Sequence, residues 1–93
     1  MIVIVAYDIS REEVRGKLRR FLARMGLSML NRSVYAGVGG MRLAKRIAEK
    51  AEKILEENDN VFIIVVREQE YLGAYTVTSM GVEKIEDKHF ELP

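Results

Sequence analysis

A carboxylate closes the first apolar run of the chain: residues 2–8 read IVIVAYD, and Asp8 is followed by Ile9 and Ser10. In an extended strand, Ile2, Ile4, Ala6 and Asp8 share one face, while Val3, Val5 and Tyr7 share the other. Two readings of Asp8 stand. It is a polar strand terminator beside a capped helix, or it belongs to a site. One Asp is a thin ligand set, but an Asp on a two-fold interface meets its twin. Such a pair shares a proton or holds a hard cation such as Mg²⁺ through oxygen.

Cations follow immediately. Arg11, Arg15 and Arg19 recur at i+4 steps, Lys17, Arg20 and Arg24 lie nearby, and Glu12 and Glu13 are the acids of the segment. This is either a solvated helical face or a stripe that contacts phosphates of a nucleic-acid backbone, with Arg32 extending it. Ser33 and Tyr35 are two residues apart on one strand face. Ser33 is suited to hydrogen-bond a phosphate or backbone, and Tyr35 to a core or interface position, with structural roles favoured for both. Gly39-Gly40 lacks the Lys and the spacing of a P-loop and reads as a turn. His89 reads as a tail residue, and Tyr71 and Tyr75 as strand packing rather than a base-stacking platform.

The composition narrows the chemistry further. The chain has 93 residues, read as one domain spanning 1–93, with 48% hydrophobic and 31% charged residues and a formal charge of +1. There is no Cys and one His, which excludes thiolate metal sites and cysteine nucleophiles and argues against a His-rich zinc site or a Ser-His-Asp triad within one chain. No apolar run approaches the roughly 20 residues of a membrane span, and the start does not read as a signal peptide. A cytoplasmic protein with no membrane partner is expected.

The elements that position these residues follow from periodicity. Residues 2–8 read as a buried strand. Ser10 and Glu13 form a capping-box pattern, so a helix is expected from about Arg11. Its apolar stripe is Val14, Leu18, Phe21, Leu22 and Met25, and Gly26 stops it. Residues 28–38 read as two short strands with a turn or bulge at Asn31-Arg32. A second helix is expected from Arg42 to Glu57, with Leu43, Ile47, Ala51, Ile54 and Leu55 buried. A turn at 58–60, a buried strand at 61–66 and one more strand at 72–79 complete the pattern.

This order predicts an α+β fold, ferredoxin-like βαββαβ with an additional C-terminal strand. In that fold helices cover one sheet face, so strands should alternate apolar and polar. Residues 2–6 and 61–66 are apolar on both faces instead. A second copy is the simplest cover, and a face-to-face two-fold homodimer is expected.

The run VIVAYDIS, then Arg15, LRRFLARMGL and NRSVYAGV resemble the CRISPR-associated Cas-two family, small dimeric ferredoxin-like partners of the CRISPR integrase. The resemblance covers about residues 1–80; Asn31 and Tyr35 stand where the family usually has Gln and Phe. It implies a nucleic-acid-binding scaffold for the integrase in spacer acquisition, together with Mg²⁺-dependent endonuclease activity on RNA or duplex DNA. It further implies one Mg²⁺ per dimer shared by the two Asp8 residues, with Tyr7, Arg15, Ser33 and Tyr35 in support. The nucleic-acid contacts would fall on Arg11, Arg15, Lys17, Arg19 and Arg32. The strand around 72–80 would cross onto the partner's sheet. A toxin-like endoribonuclease outside CRISPR and a non-catalytic ferredoxin-like regulator are the alternatives.

Overall fold

The computed structural model describes residues 1–86, so His89 lies outside the described residues. The chain runs β1 (Ile2–Asp8), α1 (Glu12–Arg24), β2 (Ser28–Asn31), β3 (Val34–Val38), α2 (Met41–Ile54) and β4 (Asn60–Val66). It continues through a short helix α3 (Glu68–Leu72) into β5 (Tyr75–Thr78) and β6 (Gly81–Lys84). The first four strands form one sheet in the order β2-β3-β1-β4, with all neighbours antiparallel. This is the ferredoxin-like βαββαβ arrangement.

β1 lies between β3 and β4, with Val5 opposite both Tyr35 and Ile63. Its Val3, Val5 and Tyr7 positions are buried in the core beside Leu18, Leu22 and Ile47. Those three side chains are fully buried, and each such aliphatic group contributes about 1.5–3 kcal/mol relative to exposure. Val61, Ile63 and Val65 of β4 pack against the same cluster.

Local hydrogen bonding shifts several expected boundaries. The amide of Ser10 donates to Asp59 Oδ1 at 3.2 Å. Arg11 takes the N-cap place of α1 without a side-chain cap, so the Ser10–Glu13 capping box does not form. At the other end the Leu27 amide bonds the Leu22 carbonyl and the Gly26 amide bonds that of Ala23. This double closure turns the chain at Gly26, whose φ of +92° suits glycine. α2 stops at Ile54 rather than Glu57, because the Asp59 carboxylate accepts the Glu56 amide at 3.0 Å and supplies an alternative to the helical ladder. The β2–β3 turn is Arg32-Ser33, one residue later than expected. Asn31 Oδ1 accepts the Ser33 amide there at 2.9 Å, and a bulge falls between Met29 and Asn31.

The largest difference lies after β4. Instead of one strand over 72–79, the chain forms α3, started by the Arg67 amide donating to Glu70 Oε1 at 3.0 Å. A separate β5–β6 hairpin follows. Its base is closed by the Ile85 amide on the Ala74 carbonyl at 2.9 Å, and its turn places Gly81 at a φ of +135°.

The outer sheet face carries Ile4 opposite Ile64 and Ala6 opposite Phe62. Phe62 is 62% exposed and Val38 80% exposed. Both faces of the sheet are thus apolar, and among the described residues α1 and α2 cover only one of them.

Candidate functional site

The end of β1 and the β2–β3 turn enclose a cleft of about 490 Å³ with the first two turns of α1. Tyr7, Asp8, Ile9, Glu12, Arg15, Arg19, Arg32 and Ser33 line it. The pieces come from distant parts of the chain and are tied together through β1. The Tyr7 hydroxyl donates to the Arg32 carbonyl at 2.6 Å, and the Tyr7 amide to the Ser33 carbonyl at 2.9 Å. Burial raises the Tyr7 phenol above its ordinary value, against the pull of the Arg19 and Arg15 charges. At neutral pH it therefore stays protonated and serves as a donor, not a base.

Arg15 is occupied on every side. Its Nη1 donates to the Ile9 carbonyl at 2.7 Å and the Ser10 carbonyl at 3.0 Å. Its Nε and Nη2 donate to Glu12 Oε2 at 3.0 and 2.7 Å. It therefore clamps the loop that follows Asp8 to the first turn of α1. Arg19 reaches the same carboxylate, Nη2 donating to Glu12 Oε1. The Arg15 hydrogen bond, followed by the two arginine charges, holds Glu12 below the usual carboxylate range.

Asp8 is exposed. It sits on the outer face opposite Asn60, and among the described residues its side chain makes no hydrogen bond or ion pair.

The cleft thus gathers Tyr7, Asp8, Arg15, Arg19, Arg32 and Ser33 and leaves out three residues singled out from sequence. Tyr35 lies beneath it, its ring 6.4 Å from that of Tyr7 and 6% exposed. Ser33 belongs to the turn rather than to the strand that carries Tyr35. Arg11 faces away and pairs with Glu56 at 2.6 Å and Glu13 at 2.7 Å. Lys17 is exposed on α1 outside the cleft. Sequence reasoning passed over Glu12 and Asp59. Glu12 was legible, three and seven residues before Arg15 and Arg19 on one helical face. Asp59, which bridges two loops, contacts Ser10 across a sequence separation of 49 and carried no local signal.

As a metal site the arrangement is a half. Among the described residues no three His, Cys, Asp or Glu side chains converge, and Glu12 is engaged by arginines. One chain offers the exposed Asp8 carboxylate, a hard oxygen donor of the kind that divalent cations such as Mg²⁺ take.

A family model described as CRISPR associated protein Cas2 matches residues 1–73. The chain is 51% identical over 92 residues to a CRISPR-associated endoribonuclease Cas2 of Thermofilum pendens, covering 99% of each. It is 37% identical over 67 residues to a Cas1/Cas2 endonuclease fusion of Thermoproteus tenax, covering 71% of this chain and 25% of that protein. Among solved structures, a hypothetical protein from Thermus thermophilus matches with a TM-score of 0.63 at 28% identity. That match covers 71% of this chain and 80% of the other.

Proposed function

Since the chain belongs to the CRISPR associated protein Cas2 family, we propose that it acts as a dimeric nucleic-acid-binding scaffold for a CRISPR integrase in spacer acquisition. We propose Mg²⁺-dependent phosphodiester cleavage at Asp8 as an accompanying activity. The observation that carries this reading is the position of Asp8 at the end of an uncovered apolar face. Ile4, Ala6, Phe62 and Ile64 continue that face along β1 and β4, and Phe62 and Ile64 are exposed. Two such faces laid together about a two-fold axis bury them and bring each Asp8 towards its twin.

β4 is an edge strand, and the β5–β6 hairpin exposes Tyr75, Val77, Met80 and Val82. Crossing onto the partner, β5 (Tyr75–Thr78) would pair with that edge, and the hairpin's apolar side chains would be buried there. The fused relative of Thermoproteus tenax joins Cas1 and Cas2 endonucleases in one chain, which supports an integrase partner.

The residues take separate roles. Arg32 and Arg19 bind backbone phosphate, Arg15 holds the loop behind Asp8, and Tyr7 ties β1 to the β2–β3 turn. The Asp8 carboxylates of two copies would hold Mg²⁺, which would supply charge neutralisation at the phosphate and a more acidic water. The endoribonuclease name of the Thermofilum pendens relative makes RNA the first substrate to assay.

The test is cleavage of RNA and duplex DNA with Mg²⁺ and with EDTA, alongside light scattering and duplex binding. Asp8→Asn is expected to abolish Mg²⁺-dependent cutting while dimer and duplex binding persist. Unchanged cutting by the variant removes Asp8 as the ligand, and a monomer at micromolar concentration removes the shared site.

A further inference from the structure

The cleft holds its two helix arginines in an unusual way: the anion between them is the chain's own Glu12. One carboxylate oxygen takes Arg15 and the other takes Arg19. The exposures are unequal. The Glu12 side chain is 70% exposed, whereas Arg15 is 32% and Arg19 27% exposed. The acid thus reaches in from solvent, while the guanidinium groups are held in the wall. An exposed pair of this kind is weak and exchangeable.

The two arginines also differ in how firmly they are fixed. Arg15 keeps the Ile9 and Ser10 carbonyls whatever Glu12 does. Arg19 has no hydrogen-bond partner among the described residues except Glu12. Arg32, which also lines the cleft, has no ion pair among them. Removal of the Glu12 carboxylate would leave three guanidinium groups around one cleft, with most of the Arg19 donors free. A phosphate oxyanion matches that donor set, since guanidinium forks bind phosphate in bidentate fashion.

We propose that Glu12 is an internal stand-in for phosphate, and that a backbone phosphate of the bound nucleic acid displaces it from Arg19. This rests on the nucleic-acid-binding reading above and adds a regulation to it. The chain masks its own subsite, so the affinity of this cleft for polyanions is set by competition with one carboxylate. Loose contacts with phosphate are rejected, and a phosphate seated between Arg19 and Arg32 is retained.

The experiment measures binding of a fluorescein-labelled DNA duplex by anisotropy over a range of salt concentrations. It compares wild type, Glu12→Gln, Glu57→Gln and the double variant Glu12→Gln/Arg19→Gln. Glu57 is exposed outside the cleft and controls for the change in net charge. Glu12→Gln is expected to bind about three- to tenfold more tightly at low salt. Its log–log salt slope should steepen by about 0.9 for each phosphate newly engaged. Glu57→Gln should stay near wild type, and the gain should vanish in the double variant.

Equal tightening by Glu12→Gln and Glu57→Gln, or a gain that survives loss of Arg19, overturns the proposal. The scaffold reading then stands, because wild type still binds. If no variant binds duplex, the scaffold reading fails, and a pyrophosphate titration followed by the arginine Nε–Hε NMR signals decides the subsite. Saturable movement of the Arg19 signal, stronger in Glu12→Gln, upholds the proposal; no movement overturns it.

Discussion

The two faces of β1 differ more in what covers them than in what they are made of. Val3, Val5 and Tyr7 point into a core closed by α1 and α2. Ile4 and Ala6, one residue out of phase, lie on a sheet face beside the exposed Phe62 and Ile64. Equal hydrophobicity therefore gives a finished interior on one side and an uncovered surface on the other. The chemistry sorts the same way: the Tyr7 hydroxyl is fastened to the Arg32 carbonyl, and the Asp8 carboxylate at the next position has no partner among the described residues. A strand like this closes the core with half its side chains and leaves the other half on an uncovered face among the described residues.

Core truncation on the closed face gives the largest effect. Leu22→Ala removes a fully buried side chain and is expected to cost about 2–5 kcal/mol, whatever the protein concentration. Phe62→Asp on the open face should leave the protomer core intact and remove the concentration-dependent part of stability instead. Chemical denaturation at several protein concentrations separates the two. If the two variants respond to concentration alike, the distinction between the faces fails.

How much of this was legible before the structure depends on the range of the interactions. The βαββαβ order was readable because Val14, Leu18, Phe21 and Leu22 repeat at helical spacing and residues 61–66 form an unbroken apolar run. The uncovered face was readable from that same run, since one-sided helix cover requires alternation. The region after β4 was not. The five residues of α3 are too few to show a period, and the β6 sequence GVEK does not alternate cleanly. In the site, Asp8 stood out by its place at a strand end. The hold of Arg15 on the Ile9 and Ser10 carbonyls and the link of Tyr7 to Arg32 depend on tertiary contact, and spacing alone could not assign them.

An intermediate effect sharpens the contrast at neighbouring residues. Tyr7→Phe deletes the hydrogen bond to the Arg32 carbonyl and should cost about 0.5–1.5 kcal/mol, while loosening the β2–β3 turn that carries Arg32 and Ser33. Asp8→Asn should stay within about 0.5 kcal/mol of wild type without metal, since that carboxylate has no partner among the described residues. Hydrogen exchange at the Ser33 amide, together with thermal unfolding, distinguishes them. Faster exchange in Tyr7→Phe alone is the expected pattern, and equal loosening by both would place Asp8 in the same network as Tyr7.

The smallest effect concerns Glu12, at the mouth of the cleft. Its carboxyl is lowered in the folded chain from an ordinary value of 4.5, chiefly by the Arg15 hydrogen bond. Because the folded form binds its proton less readily than the unfolded form, Glu12 contributes stability above the ordinary value. That contribution is lost as pH falls through the lowered folded value. The side chain is largely exposed, so solvent screening keeps the contribution small. Wild type should therefore exceed Glu12→Gln in stability by a constant small margin at neutral pH, and the two should converge only in acid, below 4.5. Paired denaturation curves from pH 7 down to about 3 measure this. A margin that persists unchanged to the acid end would mean that Glu12 acts through packing or helix geometry. It would then not be the carboxylate that occupies the arginines.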